Sequence, residues 1–321
     1  MKEKRGKNMK SDISNKNIEY VIETNNLTKK FGKNFKSSYA VKGVNIHIKK
    51  GAIYGLIGKN GAGKTTIMRM ICGLARPTEG EIQIFGENAG ENMTYRRLGT
   101  LIENPGVFPG MSAYDNMKCK AICLGISGYK EKINEILKLV GLESVGKKHA
   151  KKFSLGMKQR LGIGLALLGS PDVLILDEPI NGLDPQGILE IRELLIKLNR
   201  EKNITILISS HILEELSKLV THYGIVKDGE LIEEISSEKL REKCLERIEV
   251  KTDNPDKAST VIEKMGISNY KVVDKNTIHI YEKLNELKEI NKILIKNDID
   301  VDSISLNSEG LEDYFIDITG R

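Results

Sequence analysis

A glycine-rich stretch at residues 58–65 constrains the fold of this chain more than any other segment. It reads G-K-N-G-A-G-K-T and matches the pattern G-x-x-x-x-G-K-[ST] at every fixed position. The apolar run at residues 52–57 predicts a short buried strand before it, and residues 66–72 predict a helix after it. A tight turn in that context aims backbone N–H groups inward, and these donors together with the positive end of the following helix suit a polyphosphate. The segment therefore predicts a loop that binds a polyphosphate.

The side chains of this phosphate loop (residues 58–65) have separate predicted roles. Lys64 is expected to reach the β- and γ-phosphates of a nucleotide, and the Thr65 hydroxyl is expected to ligate Mg²⁺. A glycine-rich turn without a ligand is the alternative, and the strand and helix on either side argue against it. The predicted nucleotide-binding residues here are Gly58, Asn60, Gly61, Gly63, Lys64, Thr65 and Thr66.

Composition indicates a folded chain without a membrane span. The 321 residues suffice for one large domain and a smaller one, and a hydrophobic content of 40% supports a core. No apolar run approaches the roughly 20 residues that a spanning helix needs, and no apolar stretch follows the charged N-terminus as a secretory signal would require. The net charge of +6 is uneven, because residues 1–50 hold 13 Lys and Arg against 4 Asp and Glu. Residues 1–16 predict a disordered basic tail that could contact anionic lipid or RNA.

A second motif, at residues 173–179, reads V-L-I-L-D-E-P. The four apolar residues predict a central parallel strand, which places Asp177 and Glu178 at its carboxyl end. Ligands of open α/β sheets bind at that edge. Asp177 is expected to hold Mg²⁺, and Glu178 is expected to orient or deprotonate the water that attacks the γ-phosphate.

These motifs and their order resemble the ATP-binding-cassette (ABC) ATPase subunits over about residues 18–235. The resemblance implies an α/β fold of the P-loop NTPase class, with a mixed central sheet flanked by helices, an antiparallel β subdomain and a helical insert at about residues 104–153. It also implies that Phe31 stacks on adenine, although Phe35 or Tyr39 could substitute. Within the insert, the resemblance implies a groove for a membrane subunit. Phe108, Met111 and Tyr114 are candidates to line it or simply to pack the insert.

The signature segment of the family, usually L-S-G-G-Q, corresponds to residues 154–160, which read S-L-G-M-K-Q-R. The resemblance implies that Ser154 and Gly156 reach the ATP of a partner cassette, supported by the helix N-terminus behind them. Leu155 and Met157 depart from the usual residues, but the two phosphate-contacting positions are kept.

Three further residues take their roles from the same resemblance. Asp184, in the coupling loop at residues 181–185, would link the two nucleotide sites of a dimer, and His211 would donate to the γ-phosphate. Glu103 stands where most of the family has Gln, and would act in catalysis and as a Mg²⁺ ligand. Together with the signature segment, Glu103 resembles exporters that confer bacitracin resistance or lantibiotic immunity.

The remaining sequence predicts a separate C-terminal module. After a charged connector at residues 236–246, the pattern reads strand, helix, hairpin, helix, strand and helix, which is a small α+β module. We therefore predict domain bounds of 1–16 for the tail, 17–236 for the ATP-binding domain and 237–321 for the accessory module. The four cysteines are scattered and predict free thiols rather than a metal site.

The resemblance implies an ATPase that powers transport, with ATP and Mg²⁺ as its cofactors. One cassette per chain implies a nucleotide-sandwich dimer with a second copy or a paralogue. The dimer would work with separate permease subunits on the cytoplasmic face of a bacterial membrane. The implied cargo is an antimicrobial peptide or another drug. The rival functions are a soluble ABC protein acting on the ribosome or nucleic acid, and a metabolic kinase. A soluble ABC protein typically has a second cassette or a coiled-coil insertion, and this chain has neither. A metabolic kinase would lack the signature segment and the coupling loop. No nucleic-acid partner is expected.

Overall fold

The computed structural model describes residues 19–32, 38–244, 246–307 and 311–320. The predicted basic tail at residues 1–16 and the alternative aromatic Phe35 lie outside these ranges. The chain divides into two compact units. The first holds the described residues up to His211 together with Gly224–Leu231, and the second holds Ile212–Tyr223 and the described residues from Ile232 onward. The domain boundaries read from the sequence stay a prediction.

The first unit combines an antiparallel sheet with a central sheet. The strands, up to the hairpin that enters the second unit, are β1 (Tyr20–Phe31), β2 (Ser38–Val44), β3 (His47–Lys49), β4 (Ile53–Ile57), β5 (Glu79–Ile84), β6 (Glu87–Asn88), β7 (Leu98–Leu101), β8 (Val173–Leu176), β9 (Thr205–Ser210), β10 (His222–Lys227) and β11 (Glu230–Ser236). Its helices are α1 (Lys64–Ile71), α2 (Ala113–Cys123), α3 (Tyr129–Leu139), α4 (Leu155–Leu167) and α5 (Pro185–Lys202).

The central sheet brings the predicted motifs to one edge. Its strand order is β11-β10-β4-β9-β8-β7, and β4, β9, β8 and β7 run parallel. Every residue of β4, β8 and β9 is buried, as expected for parallel strands covered on both faces. The carboxyl ends of β4, β8 and β9 lead into the phosphate loop, into Asp177 and Glu178, and into His211. Parallel pairing thus gathers these residues at a single edge.

The antiparallel sheet has the order β2-β1-β5-β6, with β3 also paired to β1. The alternating residues 44–48 predict one strand, and this prediction is wrong, because the strand breaks at Asn45 and Ile46. The buried hydroxyl of Thr24 explains the break: it donates to the Val44 carbonyl and accepts from the Ile46 N–H, each at 2.9 Å. A side chain of β1 therefore replaces the ladder bonds at this point.

Residues 112–140 have a helical pattern, and in the structure they form two helices, α2 and α3. Gly125 and Gly128 lie between them with φ of 68° and 67°, in the left-handed region that ends a helix readily. The spacing of Ile133, Ile136, Leu137 and Val140 predicts one apolar stripe, and the structure confirms it, because all four residues are buried. The Asp228-Gly229 pair predicts a hairpin across residues 223–235, and β10 and β11 form it, with positive φ at both residues as a type I′ turn requires.

The second unit contains the predicted α+β module. Its elements are α6 (Leu213–Ser217), α7 (Ser237–Lys243), β12 (Arg247–Thr252), α8 (Pro255–Lys264), β13 (Tyr270–Val272), β14 (Thr277–Ile280), α9 (Leu287–Lys296), β15 (Val301–Asn307) and α10 (Leu311–Thr319). The antiparallel sheet has the order β13-β14-β12-β15, and α8 and α9 supply the helical side of its core. The core side chains include Ile248, Val250, Ile262, Ile278, Ile280, Ile290 and Leu294. None of the helices in the described ranges has the length and apolar character to cross a bilayer.

Candidate functional site

The phosphate loop has the backbone that its glycines predict. Gly63 has φ of 108° directly before α1, and a Cβ there would lie 2.6 Å from the Ala40 carbonyl oxygen. A Cβ at Gly58 would lie 2.4 Å from the Val226 carbonyl oxygen. Neither position can accept a larger side chain without displacing backbone. No side chain caps the N-terminus of α1, so its first N–H groups can serve an anion.

Lys64 lies at the centre of the site and is almost fully buried, with 5% of its surface exposed. Its ammonium donates to the Gly58 carbonyl at 2.7 Å and to the Lys59 carbonyl at 3.3 Å, so the side chain folds over the loop. The same Nζ lies 3.4 Å from Oε1 of Glu178. A bound polyphosphate would compete with that carboxylate for the ammonium.

The two acids after β8 lie in different environments. Asp177 is buried, and its Oδ1 accepts a hydrogen bond from the Ser209 hydroxyl at 2.7 Å. Glu178 has φ of 49°, a left-handed conformation that is uncommon for a residue with a side chain. Its Oε2 lies 2.9 Å from Nδ1 of His211, while its Oε1 faces Lys64. Glu178 thus touches both of the cationic or proton-donating side chains that the sequence assigned to the phosphates.

The charge of Asp177 also acts on a neighbouring thiol. Burial, together with the negative charge of Asp177, raises the pKa of Cys72 to about 12. Cys72 directly follows α1, and its thiol is held in the neutral form.

Glu103 follows β7 with φ of 63° and has a half-exposed side chain. Its Oε1 pairs with the guanidinium of Arg69 on α1. Arg69 belongs to no sequence motif, although it lies four residues after Thr65 and so on the same side of the helix. The structure therefore places a positive partner beside the extra negative charge that Glu103 carries relative to a Gln.

Phe31 ends β1, and its ring is 49% exposed. Tyr39 lies across the strand pair from Lys30 and is 48% exposed. Each ring has a lysine over it, with Lys29 Nζ 5.3 Å from the Phe31 centroid and Lys30 Nζ 5.1 Å from the Tyr39 centroid. Both rings are accessible to a base, so the choice between them stays open.

The signature segment lies beside the coupling loop. Ser154 is exposed and caps α4, with its hydroxyl accepting from the Met157 N–H at 3.2 Å. Gly156 lies near Leu183, since a Cβ on the glycine would be 3.8 Å from Cδ2 of that leucine. Asp184 caps α5 by accepting from the Gly187 N–H at 3.2 Å. Both polar residues therefore have local capping roles, and the two segments share one surface of the first unit.

The candidate groove residues of the insert differ in exposure. Phe108 is 57% exposed and Met111 is 36% exposed, whereas Tyr114 is partly buried. Asn116 holds the backbone of Phe108, accepting from its N–H at 2.7 Å and donating to its carbonyl at 3.1 Å. Phe108 thus has a held backbone and an apolar side chain at the surface rather than in the insert core.

Comparison with known proteins agrees with this geometry. A family profile described as "ABC transporter" matches residues 41–181. The bacitracin transport ATP-binding protein BcrA of Bacillus licheniformis is 45% identical over 303 residues, which cover 94% of this chain and 97% of BcrA. The lantibiotic transport ATP-binding protein SrtF of Streptococcus pyogenes is 47% identical over 188 residues, which cover 59% of this chain and 80% of SrtF. The dimeric post-hydrolysis structure of the ATP-binding cassette MJ0796, bound to ADP and Pi, superposes with a TM-score of 0.61 at 28% identity, covering 67% of this chain and 98% of the cassette.

Proposed function

The chain belongs to the ATP-binding subunits of ABC transporters, which hydrolyse ATP, and we propose that it drives the export of an antimicrobial peptide. One observation carries the catalytic part of the proposal. Lys64, Glu178 and His211 follow three different strands of the central sheet, and Glu178 contacts both Lys64 and His211. Such convergence of a phosphate-binding cation, a carboxylate and an imidazole fits the hydrolysis of a phosphoanhydride.

In the proposed mechanism, the residues of this chain mainly position the reactants. The N–H groups of the phosphate loop and the Lys64 ammonium bind the β- and γ-phosphates and stabilise their charge. Glu178 accepts a proton from the attacking water, and His211 donates a hydrogen bond to the γ-phosphate as charge develops. Phe31 or Tyr39 stacks on the adenine ring.

The residues around Asp177 fit a magnesium ion. The Thr65 hydroxyl and the Asp177 carboxylate are hard oxygen donors, and Mg²⁺ is commonly held by one or two such groups with phosphates and waters. No group of three or more His, Cys, Asp or Glu side chains forms a complete metal cage in the described ranges. When bound, the ion would neutralise charge on the β- and γ-phosphates. Glu103 is a further candidate ligand, and its Oε1 is engaged by Arg69.

The proposed cargo is inferred from the names of the relatives. BcrA is named for bacitracin transport and SrtF for lantibiotic transport, and the match to BcrA runs almost end to end. We infer from this that the chain serves resistance or self-immunity against a peptide of this kind. The rival function on the ribosome or on nucleic acid is not favoured by these relatives.

The proposed assembly contains two cassettes and separate permease subunits. Ser154 and Gly156 of one cassette would contact the ATP bound to the phosphate loop of the other, and Asp184 would lie at the boundary between the sites. Phe108 and Met111, exposed on the insert, are the proposed contacts for a permease, with Tyr114 behind them. The proposed location is the cytoplasmic face of a bacterial membrane.

The test is to tag the full chain in its native cell, solubilise the membranes gently and identify the co-purifying proteins. We expect a multi-span membrane protein together with the chain. Deleting the gene should lower the concentration of bacitracin or lantibiotic that the cell survives. Wild-type chain should restore survival, whereas the variant Lys64→Ala should not.

Two results would contradict the proposal. Recovery of ribosomal proteins or nucleic acid in place of a permease would argue for the rival function. A deletion strain with unchanged tolerance to every cationic and cell-wall-targeting peptide tested, despite a co-purifying permease, would show that the cargo is of another class.

A further inference from the structure

Ser209 connects the two acids of the site through a single buried oxygen atom. It lies on β9, between β4 and β8 in the central sheet, and its side chain is fully buried. Its hydroxyl donates to Oδ1 of Asp177 at 2.7 Å and accepts from the Glu178 N–H at 2.8 Å. One hydroxyl therefore orients a carboxylate on one side and a peptide group on the other.

The bond to Asp177 fixes the direction of a buried carboxylate. Asp177 is only 4% exposed, so its charge needs partners inside the protein. The Ser209 proton engages Oδ1 and leaves the second oxygen of the carboxylate to act on a cation. In metal sites, partners of this kind orient the ligands, and their loss commonly weakens metal affinity or activity.

The bond to Glu178 holds an uncommon backbone conformation. At φ of 49° the Glu178 peptide departs from the extended strand, and the side chain then reaches both His211 and Lys64. The Ser209 oxygen accepts the N–H of this same peptide. Loss of the acceptor would leave a part-buried N–H unpaired and would free the turn that aims the carboxylate.

A hydroxyl side chain performs both tasks at this position through one oxygen atom. Serine and threonine donate one hydrogen bond while accepting others, whereas alanine does neither. We propose that Ser209 is a positioning residue for hydrolysis, which sets the metal-binding direction of Asp177 and the backbone turn of Glu178 together. This inference rests on the roles proposed above for Asp177 and Glu178.

The experiment measures metal-dependent nucleotide binding and then turnover, using the full-length purified chain. Affinity for ADP is determined by calorimetry in Mg²⁺ and in EDTA, and ATP hydrolysis is followed over a range of free Mg²⁺. We expect Ser209→Ala to bind ADP in EDTA as wild type does. When Mg²⁺ is added, the affinity of the variant for ADP should rise about tenfold less than that of wild type. Its kcat should fall by about 10- to 100-fold, with a higher half-saturating Mg²⁺ concentration.

Three further variants make the result specific. Thr205→Val removes another buried hydroxyl of β9, which accepts the Gly51 N–H at 2.8 Å, and should lower the melting temperature without changing the Mg²⁺ response. Ser209→Thr keeps the hydroxyl and should recover most of the metal response. Asp177→Asn serves as the reference for losing the ligand itself.

The proposal is overturned if Ser209→Ala responds to Mg²⁺ as Thr205→Val does while Asp177→Asn loses the response. It is equally overturned if Ser209→Thr melts like wild type but shows the metal response of Ser209→Ala. If Asp177→Asn keeps the full response, the assignment of Asp177 fails first and the role of Ser209 fails with it.

Discussion

Glu103 shows how one residue can change the electrostatics of a site without upsetting it. A carboxylate beside a bound polyphosphate would repel it, yet here the carboxylate is paired with Arg69. The pair is close to charge-neutral, much as the more usual Gln would be. Both side chains are about half exposed, so water screens the pair and its contribution to stability is small, on the order of 1 kcal/mol or less.

We expect Glu103→Gln to hydrolyse ATP at a rate within about tenfold of wild type, since it keeps an oxygen and removes a charge that Arg69 already offsets. Arg69→Gln should be the more harmful change, because it leaves the Glu103 charge uncompensated near the phosphates and so raises the KM for ATP. The double variant should have a KM for ATP close to that of Glu103→Gln. Steady-state kinetics of the four proteins form a double-mutant cycle.

Asp172→Asn is the matched control for this cycle. Asp172 pairs with Arg97 at 2.8 Å, is similarly exposed, and lies just before β8, at the end of that strand remote from Asp177. It should leave the KM for ATP unchanged. Additive effects of Arg69→Gln and Glu103→Gln would show that the two side chains do not compensate one another.

At the scale of elements, the C-terminal helix α10 is held by a three-member hydrogen-bond network within the second unit. Tyr314 donates to Oε2 of Glu233 at 2.6 Å, and Lys243 donates to Oε1 of Glu233 at 2.7 Å and to the Tyr314 oxygen at 2.6 Å. Burial alone would raise the pKa of Glu233, but the bonds from Lys243 and Tyr314 outweigh it and lower the pKa below 4.5. Packing of α10 against α6 adds to this attachment.

Tyr314→Phe should loosen α10 by removing a hydrogen bond to a charged group, worth about 1–2 kcal/mol after allowance for partial exposure. Hydrogen exchange followed by mass spectrometry should show the α10 amides exchanging roughly tenfold faster. Tyr270→Phe is the matched control, because its hydroxyl bonds Glu263 elsewhere in the same unit and should leave α10 unchanged.

The effect of Tyr314→Phe should depend on pH in a defined direction. A carboxyl group with a lowered pKa stabilises the fold fully above its ordinary value of 4.5 and ceases to do so as pH falls through the native pKa. The difference in α10 exchange between wild type and Tyr314→Phe should therefore be constant near neutrality and shrink below about pH 4.5. An equal difference at all pH values would mean that the charge of Glu233 is not involved.

Also at this scale, the predictability of each element follows from whether its determinants are local. The strands β4, β8 and β9 were predictable because continuous apolar runs reflect burial on both faces. The break after β2 was not, because it depends on the Thr24 hydroxyl, 20 residues away from Val44. The roles of Arg69 and Ser209 were likewise hidden, since each depends on a partner at least 31 residues distant.

At the scale of the whole molecule, the signature segment offers a surface that the proposed dimer would use. The signature segment and the coupling loop lie together on one surface, where Ser154 is exposed beside the N-terminus of α4. In the proposed dimer, ATP is contacted by the phosphate loop of one cassette and the signature segment of the other. A ligand that binds only the closed arrangement with both contacts shifts the equilibrium toward it.

We expect Glu178→Gln to trap this closed arrangement. The amide keeps the shape of the side chain but cannot accept the proton of the attacking water, so ATP stays intact and continues to bridge the cassettes. The variant should bind ATP with affinity close to that of wild type, show turnover reduced by at least about 100-fold, and elute as a dimer when ATP and Mg²⁺ are present. Light scattering coupled to size-exclusion chromatography measures the mass with ATP, with ADP and without nucleotide.

Gly156→Asp in the Glu178→Gln background separates a nucleotide sandwich from any other dimer. A Cβ at Gly156 would meet only Cδ2 of Leu183, at 3.8 Å, so the single chain has room for the side chain. Its negative charge would face the γ-phosphate of the partner site, and we expect a folded monomer that still binds ATP. A dimer that persists in this double variant, or that forms equally with ADP, would place the interface on another surface. Normal turnover by Glu178→Gln would instead show that another group accepts the proton, and the trap would then have no basis.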